Sequence, residues 1–310
     1  MIVIRDDSKV DVSRAVVAIG KFDGVHYGHA CLLSAARKQA AILAEDGKEC
    51  AWGLVTFDAH PMEAVRPGSA PPLLTPLERK LELLSEFGPN FCLVLGVHSG
   101  ILHWPAERFE HEILVERIPV AWIVAGEDFR YGKDRTGNLD TLRSNGSFGV
   151  TVVPTVLLEG HRISSYDIRE ALYRGDIERA TMMLQRPYDV TGPVVKGRQL
   201  GRTLGFPTAN LRVSDRTVLP GNGVYVVRSS WKDSNGDRHD YPGVANIGLR
   251  PTMNSLAEQP VLEVHIPGWS GDLYGADIKV AFIRRLRDEM KFDSLEELKS
   301  QIRRDIDAAQ

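Results

Sequence analysis

Gly20-Lys-Phe-Asp-Gly-Val-His-Tyr-Gly-His29 lies between a short apolar run at 16–20 and an Ala- and Leu-rich pattern with a polar stripe over 28–44. The run reads as a buried strand and the pattern as an amphipathic helix, so the ten residues form a strand-to-helix loop. Glycines there let the backbone approach a ligand closely, and the helix start offers N–H groups to an anion. His26 and His29 are three residues apart, so both can face one phosphate chain and donate hydrogen bonds to charge developing on it. Two isolated histidines in a turn would carry no such meaning. The order strand, glycine, histidine, glycine, histidine, helix does.

Val- and Ile-rich runs recur at 53–57, 92–97, 121–126 and 150–156, as expected for strands buried on both faces of a parallel sheet. Helical patterns separate them. Thr75-Pro-Leu-Glu78 reads as a capping box with Pro at the first helical position, opening a helix towards Phe87. Residues 105–117 form a third helix, and 167–184 a fourth with Asp167 as N-cap and Glu170 three residues on. This alternation predicts an α/β doubly wound domain over 1–186, with ligands at the carboxyl ends of its strands. Three further loops fall there. Phe57-Asp-Ala-His-Pro61 follows the second strand. Gly126-Glu-Asp-Phe-Arg-Tyr-Gly132 puts two acids, two aromatics and an Arg after the fourth, suited to an aromatic ring system with a ribose or a metal. Ile163-Ser-Ser-Tyr-Asp-Ile-Arg169 sets two hydroxyls and an Arg at a helix start, a second anion clamp.

After Arg186-Pro187 the texture changes. Strand patterns at 223–231, 261–266 and 277–283 are punctuated by turn signals at Pro220-Gly-Asn-Gly223, Asn235-Gly236 and Tyr241-Pro-Gly243. Closely spaced strands of this kind predict a small barrel over 187–310. Ser294-Leu-Glu-Glu297 caps a closing helix with Leu298, Ile302 and Ile306 on one stripe. Gly201-Arg-Thr-Leu-Gly-Phe-Pro-Thr-Ala-Asn210 reads as a loop, because Gly205 and Pro207 break regular structure. Its glycines can admit phosphates, and Thr208 and Asn210 offer neutral oxygens that suit Mg²⁺.

Composition narrows the function. The 310 residues are 43% hydrophobic and 25% charged, with net charge −3 that divides at Arg186 into −4 and +1, and neither part is basic enough for a nucleic-acid binder. Cys31, Cys50 and Cys92 are odd in number and far apart, so neither a disulfide scaffold nor a zinc site is expected. The start, Met-Ile-Val-Ile-Arg-Asp-Asp, has no signal-peptide core, and no apolar run reaches the length of a membrane helix. A cytoplasmic monomer or weak homo-oligomer is expected.

Taken together, Phe22-Asp-Gly-Val-His-Tyr-Gly-His29, Gly126-Glu-Asp-Phe-Arg-Tyr-Gly132, Ile163-Ser-Ser-x-x-Ile-Arg169 and Pro207-Thr-Ala-Asn210 resemble the bacterial bifunctional riboflavin kinase/FMN adenylyltransferases. Gly223-Val-Tyr225, Asn246-Ile-Gly-Leu-Arg-Pro-Thr252, Glu263-Val-His265, Asp272-Leu-Tyr-Gly275 and Arg287-Asp-Glu-Met-Lys-Phe292 continue the likeness across nearly the whole chain. It implies a Rossmann-like nucleotidyltransferase domain, then a six-stranded flavokinase-type barrel with a terminal helix. ATP and Mg²⁺ would serve both reactions, with riboflavin, FMN and FAD as substrates and products.

By that resemblance, Gly20, Phe22, Asp23, Gly24, His26, His29, Ser164, Ser165 and Arg169 would bind ATP for adenylyl transfer, with both histidines stabilising the transition state. Asp58, Glu127, Asp128, Phe129 and Asn138 would line the flavin side. In the second domain Gly201, Arg202, Gly205, Pro207, Thr208 and Asn210 would bind ATP, and Thr208 and Asn210 the metal. Glu263 would be the general base, and Arg287, Glu289 and Phe292 would meet flavin. The chain departs from the family where Tyr166 replaces Thr, Ala59 replaces Pro, and Pro267-Gly-Trp269 replaces a segment with Asp and Phe. Tyr166 keeps a hydroxyl but moves it outward, and Trp269 offers a larger face for flavin stacking. A riboflavin kinase with an impaired first domain, a non-catalytic flavin-binding regulator, and adenylyl transfer to another acceptor are the alternatives.

Overall fold

A computed structural model describes residues 1–5, 8–144, 148–197, 201, 204–250 and 259–309. It separates into two compact units, Met1–Ser165 and Tyr166–Gln310.

The first unit is built on six parallel strands: β1 Ile2–Ile4, β2 Ala15–Ile19, β3 Ala51–Phe57, β4 Phe91–Leu95, β5 Val120–Gly126 and β6 Gly149–Val153, in the order β1-β4-β3-β2-β5-β6. The chain runs outward from β2 through β3 and β4, then returns to β5 on β2's other side. That reversal opens a crevice at the carboxyl ends of β2 and β5. Alternate strand residues supply two cores. Val16, Ala18, Leu54, Cys92 and Val94 pack with Leu32, Leu33, Ala36 and Ala40 of α1 (Tyr27–Ala44) and Leu81 and Leu84 of α3 (Leu77–Ser85). α2, Met62–Val65, is a single short turn. Val17, Ile19, Val55 and Leu93 pack on the other face. There α4 (Ala106–Phe109) runs on into a π-helix, Glu110–Arg117, that supplies Ile113 and Leu114, and α5 (Leu139–Ser144) supplies Leu142. A two-stranded hairpin, β7 Leu157–Leu158 and β8 His161–Arg162, follows β6.

Four sequence expectations change locally. β1 was not foreseen; three residues pair with β4 from Ile2↔Phe91 to Ile4↔Leu93. Thr75 does not cap α3. Pro76 holds that position with no side-chain bond, because the Thr75 hydroxyl accepts the Gly24 N–H at 3.0 Å instead. The predicted 167–184 helix is two, α6 Ser165–Tyr173 and α7 Ile177–Leu184. Gly175 sits at φ +72° between them, and Asp176, not Asp167, is a cap, accepting the Arg179 N–H at 3.0 Å. Tyr241-Pro-Gly243 lies inside a strand rather than a turn.

The second unit is a closed barrel of β9 Tyr188–Val195, β10 Thr208–Leu211, β11 Gly223–Lys232, β12 Arg238–Arg250, β13 Gln259–His265 and β14 Asp277–Arg287, ordered β10-β13-β12-β11-β14-β9. Tyr188, Val190, Tyr225, Val227, Leu262, Val264, Ile278, Val280 and Phe282 are buried. Pro242 is tolerated because the β13 pairing of β12 starts only at Val244, so that stretch is flanked by β11 alone. The Asn235-Gly236 signal marks the β11–β12 turn, with Gly236 at φ +88° and the Asp233 carboxylate accepting the N–H groups of Asn235 and Asp237. α8, Leu295–Asp307, begins as expected, the Ser294 hydroxyl accepting the Glu297 N–H at 3.2 Å. The sequence boundary at Arg186–Pro187 falls 21 residues after the division between units, and α7 packs on β9 and β14.

Candidate active sites

His26 caps α1 in an unusual way. The His26 N–H donates to Nδ1 of His29 at 3.3 Å, and the His29 N–H donates to Nδ1 of His26 at 3.4 Å. With both Nδ1 atoms accepting, each neutral ring carries its proton on Nε2, a donor suited to phosphate oxygen. The rings stack with centroids 3.7 Å apart, and Phe22 meets His29 edge-on at 5.2 Å. Gly28 makes this possible, since a Cβ there would lie 3.1 Å from the His26 ring.

The loop before the histidines is strained. Phe22 and Val25 adopt φ of 51° and 41°, and Gly24 88°. A left-handed non-glycine residue costs about 1–3 kcal/mol, so this geometry must be held from outside. The buried Asp23 carboxylate accepts the N–H groups of Leu74 and Thr75 at 2.9 and 3.1 Å, and its carbonyl accepts the Ser165 hydroxyl at 2.8 Å. Asp23 and Ser165 thus shape the loop. Gly20 closes β2, and Ser164 precedes α6, whose second turn carries the buried Arg169.

Of the expected flavin-side residues, Asp58 follows β3, Glu127, Asp128 and Phe129 follow β5, and Asn138 precedes α5. Asp58 accepts the Val97 N–H at 2.9 Å, tying the exits of β3 and β4. Glu127 accepts from Thr155, and Asp128 pairs with Arg162. Burial opposes the Asp128 charge, yet the Arg162 guanidinium holds its carboxyl below the usual range. A recess of about 320 Å³ is lined by Glu127, Arg130, Asn138, Asp140 and Arg143. Asn138 caps α5, its side-chain oxygen accepting from Asp140 and Thr141 at 2.8 and 3.1 Å. Phe129 stacks on Tyr131 at 5.5 Å.

Tyr131 and Glu110 were not foreseen as a pair. The Tyr131 hydroxyl donates to the buried Glu110 carboxylate at the head of the π-helix and lies 3.0 Å from the Thr141 hydroxyl, which in turn bonds the Asn138 backbone. Burial and the Glu110 carboxylate both raise the Tyr131 pKa. Tyr131→Phe is expected to destabilise the first unit by about 1.5–3 kcal/mol, the range for a bond to a charged group. Denaturant unfolding measures this. A change under about 0.5 kcal/mol would show that the bond contributes nothing.

In the barrel, one row crosses three strands: Asn210 of β10 is opposite Glu263 of β13, which is opposite Asn246 of β12. Leu262, Val264 and Ile266 point into the barrel, which puts Glu263 on the outer face, half-buried. Thr208 and Asn210 share that face at a spacing of two. His265, two residues along the same face and opposite Thr208, holds the Pro207 carbonyl at 2.8 Å and meets Phe206 edge-on at 5.9 Å. Gly201 accepts the Phe206 N–H at 2.8 Å, and Gly205 sits at φ +89°. Arg202 lies outside the described residues.

Arg287 grips the buried Asp305 of α8, with its Nη2 at 2.7 Å and its Nε at 3.1 Å, and lies 6.0 Å from the Phe292 ring. Glu289 accepts from Asn246 at 3.3 Å. Trp269 packs against Trp231, His239 and Tyr241 beside the β11–β12 turn, at 4.9, 5.0 and 5.7 Å. Tyr241 is five residues along β12 from Asn246, roughly 17 Å at the strand rise. Asn246 and His265 lie in the stretches 246–252 and 263–265 that resemble the family, but only strand register shows what they touch.

A histidine-capped helix at a parallel sheet's switch point, joined to a barrel with Thr208, Asn210 and Glu263 on one face, defines a two-module transferase acting on phosphates. Residues 8–167 match the FAD synthetase family and residues 184–310 the riboflavin kinase family. The chain is 37% identical over 307 residues to the bifunctional riboflavin kinase/FMN adenylyltransferase of Escherichia coli (strain K12), covering 97% of this chain and 94% of that protein. Its identity to the Bacillus subtilis protein of the same description is 35%, covering 96% and 92%. A crystal structure from Streptococcus pneumoniae described as a macrolide-efflux protein is 31% identical, with a TM-score of 0.87 over 100% of this chain and 99% of that one. This chain belongs to the bifunctional riboflavin kinase/FMN adenylyltransferase family. No helix among its described residues is long and apolar enough to cross a membrane.

Proposed function

We propose that the chain makes FMN and then FAD, with riboflavin phosphorylated in the 187–310 domain and FMN adenylylated in the 1–186 domain. The observation that carries this reading is that each family match falls on a part of the chain with its own phosphate-directed constellation. In the second domain Glu263 accepts the proton of riboflavin's 5′-hydroxyl as that oxygen attacks the γ-phosphorus of ATP and ADP leaves. The proton leaves late in such transfers, so a carboxylate is basic enough. The glycines of 201–208 let the backbone close over the phosphates, and Arg287, Glu289 and Phe292 border the flavin.

In the first domain the FMN phosphate attacks the α-phosphorus of ATP, and pyrophosphate leaves. His26 and His29 donate from Nε2 to the phosphate oxygens as charge shifts. Gly20, Phe22, Asp23 and Gly24 shape the loop beneath, and Ser164, Ser165 and Arg169 take the β- and γ-phosphates. Asp58, Glu127, Asp128, Phe129 and Asn138 border the flavin. No covalent intermediate is involved, and catalysis is positioning and charge stabilisation.

Thr208 and Asn210 fit Mg²⁺, because two neutral oxygens on one strand face suit a hard cation that takes its other ligands from phosphate and water. Bound there, Mg²⁺ supplies charge neutralisation on the phosphates. Thr208→Ala is expected to weaken Mg²⁺ binding in the presence of ADP by about tenfold, the low end for losing a ligand or its support. Calorimetric titration of Mg²⁺ reads this directly, and unchanged affinity would remove Thr208 from the metal. Three cysteines without a disulfide accord with a reducing cytoplasm, and a monomer or weak homo-oligomer suffices for both reactions.

A further inference from the structure

One buried cation stands outside every role above. Lys80, on α3, is 5% exposed, and its ammonium donates to the Phe57 carbonyl at 2.6 Å, the Lys21 carbonyl at 3.3 Å and the Thr56 hydroxyl at 3.4 Å. These acceptors stand at the carboxyl ends of β2 and β3. Burial lowers the Lys80 pKa, and the Asp23 and Asp58 carboxylates act in the opposite sense. A buried ammonium is costly, and a hydrocarbon of equal length would fill the same space without that cost. What Lys80 adds is three directed bonds.

Those bonds reach the strained loop. Lys21 immediately precedes Phe22, the first of its three left-handed residues. The other braces come from the same neighbourhood: Thr75 accepts the Gly24 N–H, and the N–H groups of Leu74 and Thr75 donate to Asp23. The segment 74–80 therefore grips this loop from both ends, and the loop runs straight into His26. We propose that Lys80 is a positioning residue for adenylyl transfer, fixing the 20–25 loop so that His26 and His29 meet the phosphates in register. It acts through the loop and does not touch the reacting atoms. The inference rests on the assignment of adenylyl transfer to the histidine pair.

The test uses the full chain with two substitutions, Lys80→Met and Lys80→Arg, and a parallel Thr75→Val. FAD formation is measured from FMN and ATP, and FMN formation from riboflavin and ATP. Lys80→Met is expected to lower kcat for FAD formation about 30- to 100-fold, the scale of a small misplacement. KM for FMN should stay within about threefold, and the kinase rate should be unchanged. Lys80→Arg should recover most of the loss, and Thr75→Val should reproduce the kcat signature more weakly. Wild-type kcat in Lys80→Met would overturn the inference. So would loss of both activities together, or an Arg variant as poor as the Met variant. His29→Ala separates the two levels: if it leaves FAD formation intact, the histidine assignment fails. If it is inactive while Lys80→Met is fully active, only the role of Lys80 fails.

Discussion

Glu263→Gln is expected to slow FMN formation by about 10²–10⁴-fold, the usual contribution of a positioned general base, while FAD formation from supplied FMN continues at the wild-type rate. The substitution is nearly isosteric. Glu263 lies in mid-strand between Asn210 and Asn246, so its backbone pairing is fixed by the barrel. An amide keeps the size and some of the hydrogen bonding but cannot accept the hydroxyl proton. The loss should therefore appear in kcat, with KM for riboflavin little changed. A kinase rate within threefold of wild type would move the base elsewhere.

His29→Ala is expected to have the second largest effect, lowering FAD formation by about 10²–10³-fold, the cost of removing one donor to developing charge. Its ring carries that donor because Nδ1 is already occupied by the His26 N–H. The capping reciprocity is lost as well, but a helix cap is worth only about 1 kcal/mol, too little to unfold α1, whose Leu32, Leu33, Ala36 and Ala40 are buried in the core. Riboflavin kinase activity should be untouched. Steady-state rates for each half-reaction decide the matter, and equal loss of both would point to unfolding rather than chemistry.

The parts of this molecule that were legible in sequence are those in which neighbours along the chain explain one another. Five apolar runs gave the sheet, because strands buried on both faces have no polar alternation to confuse them. The His26/His29 pair was legible because strand, loop and helix are contiguous. The short, largely exposed Ile2–Ile4 carried too little pattern to be read as a strand. Thr75 looked like a cap because its true partner, Gly24, is 51 residues away. Lys80 sits among leucines of an amphipathic helix and reads as a surface lysine until the carbonyls of β2 and β3 are brought to it. Glu110 and Tyr131, twenty-one residues apart, meet only because a π-helix and a loop fold together. Trp269 stands out in sequence only as a departure from the family, and its contacts with Trp231, His239 and Tyr241 at the β11–β12 turn appear only once the strands are paired.

The central claim is that one chain carries two separable phosphate-transfer sites acting in sequence. A chromatographic time course of riboflavin, ATP and Mg²⁺ with the wild-type, His29→Ala and Glu263→Gln proteins tests it most directly. FMN followed by FAD is expected for the wild type, FMN that accumulates without FAD for His29→Ala, and unconverted riboflavin for Glu263→Gln. FAD appearing at the wild-type rate with His29→Ala, or FMN with Glu263→Gln, would contradict it.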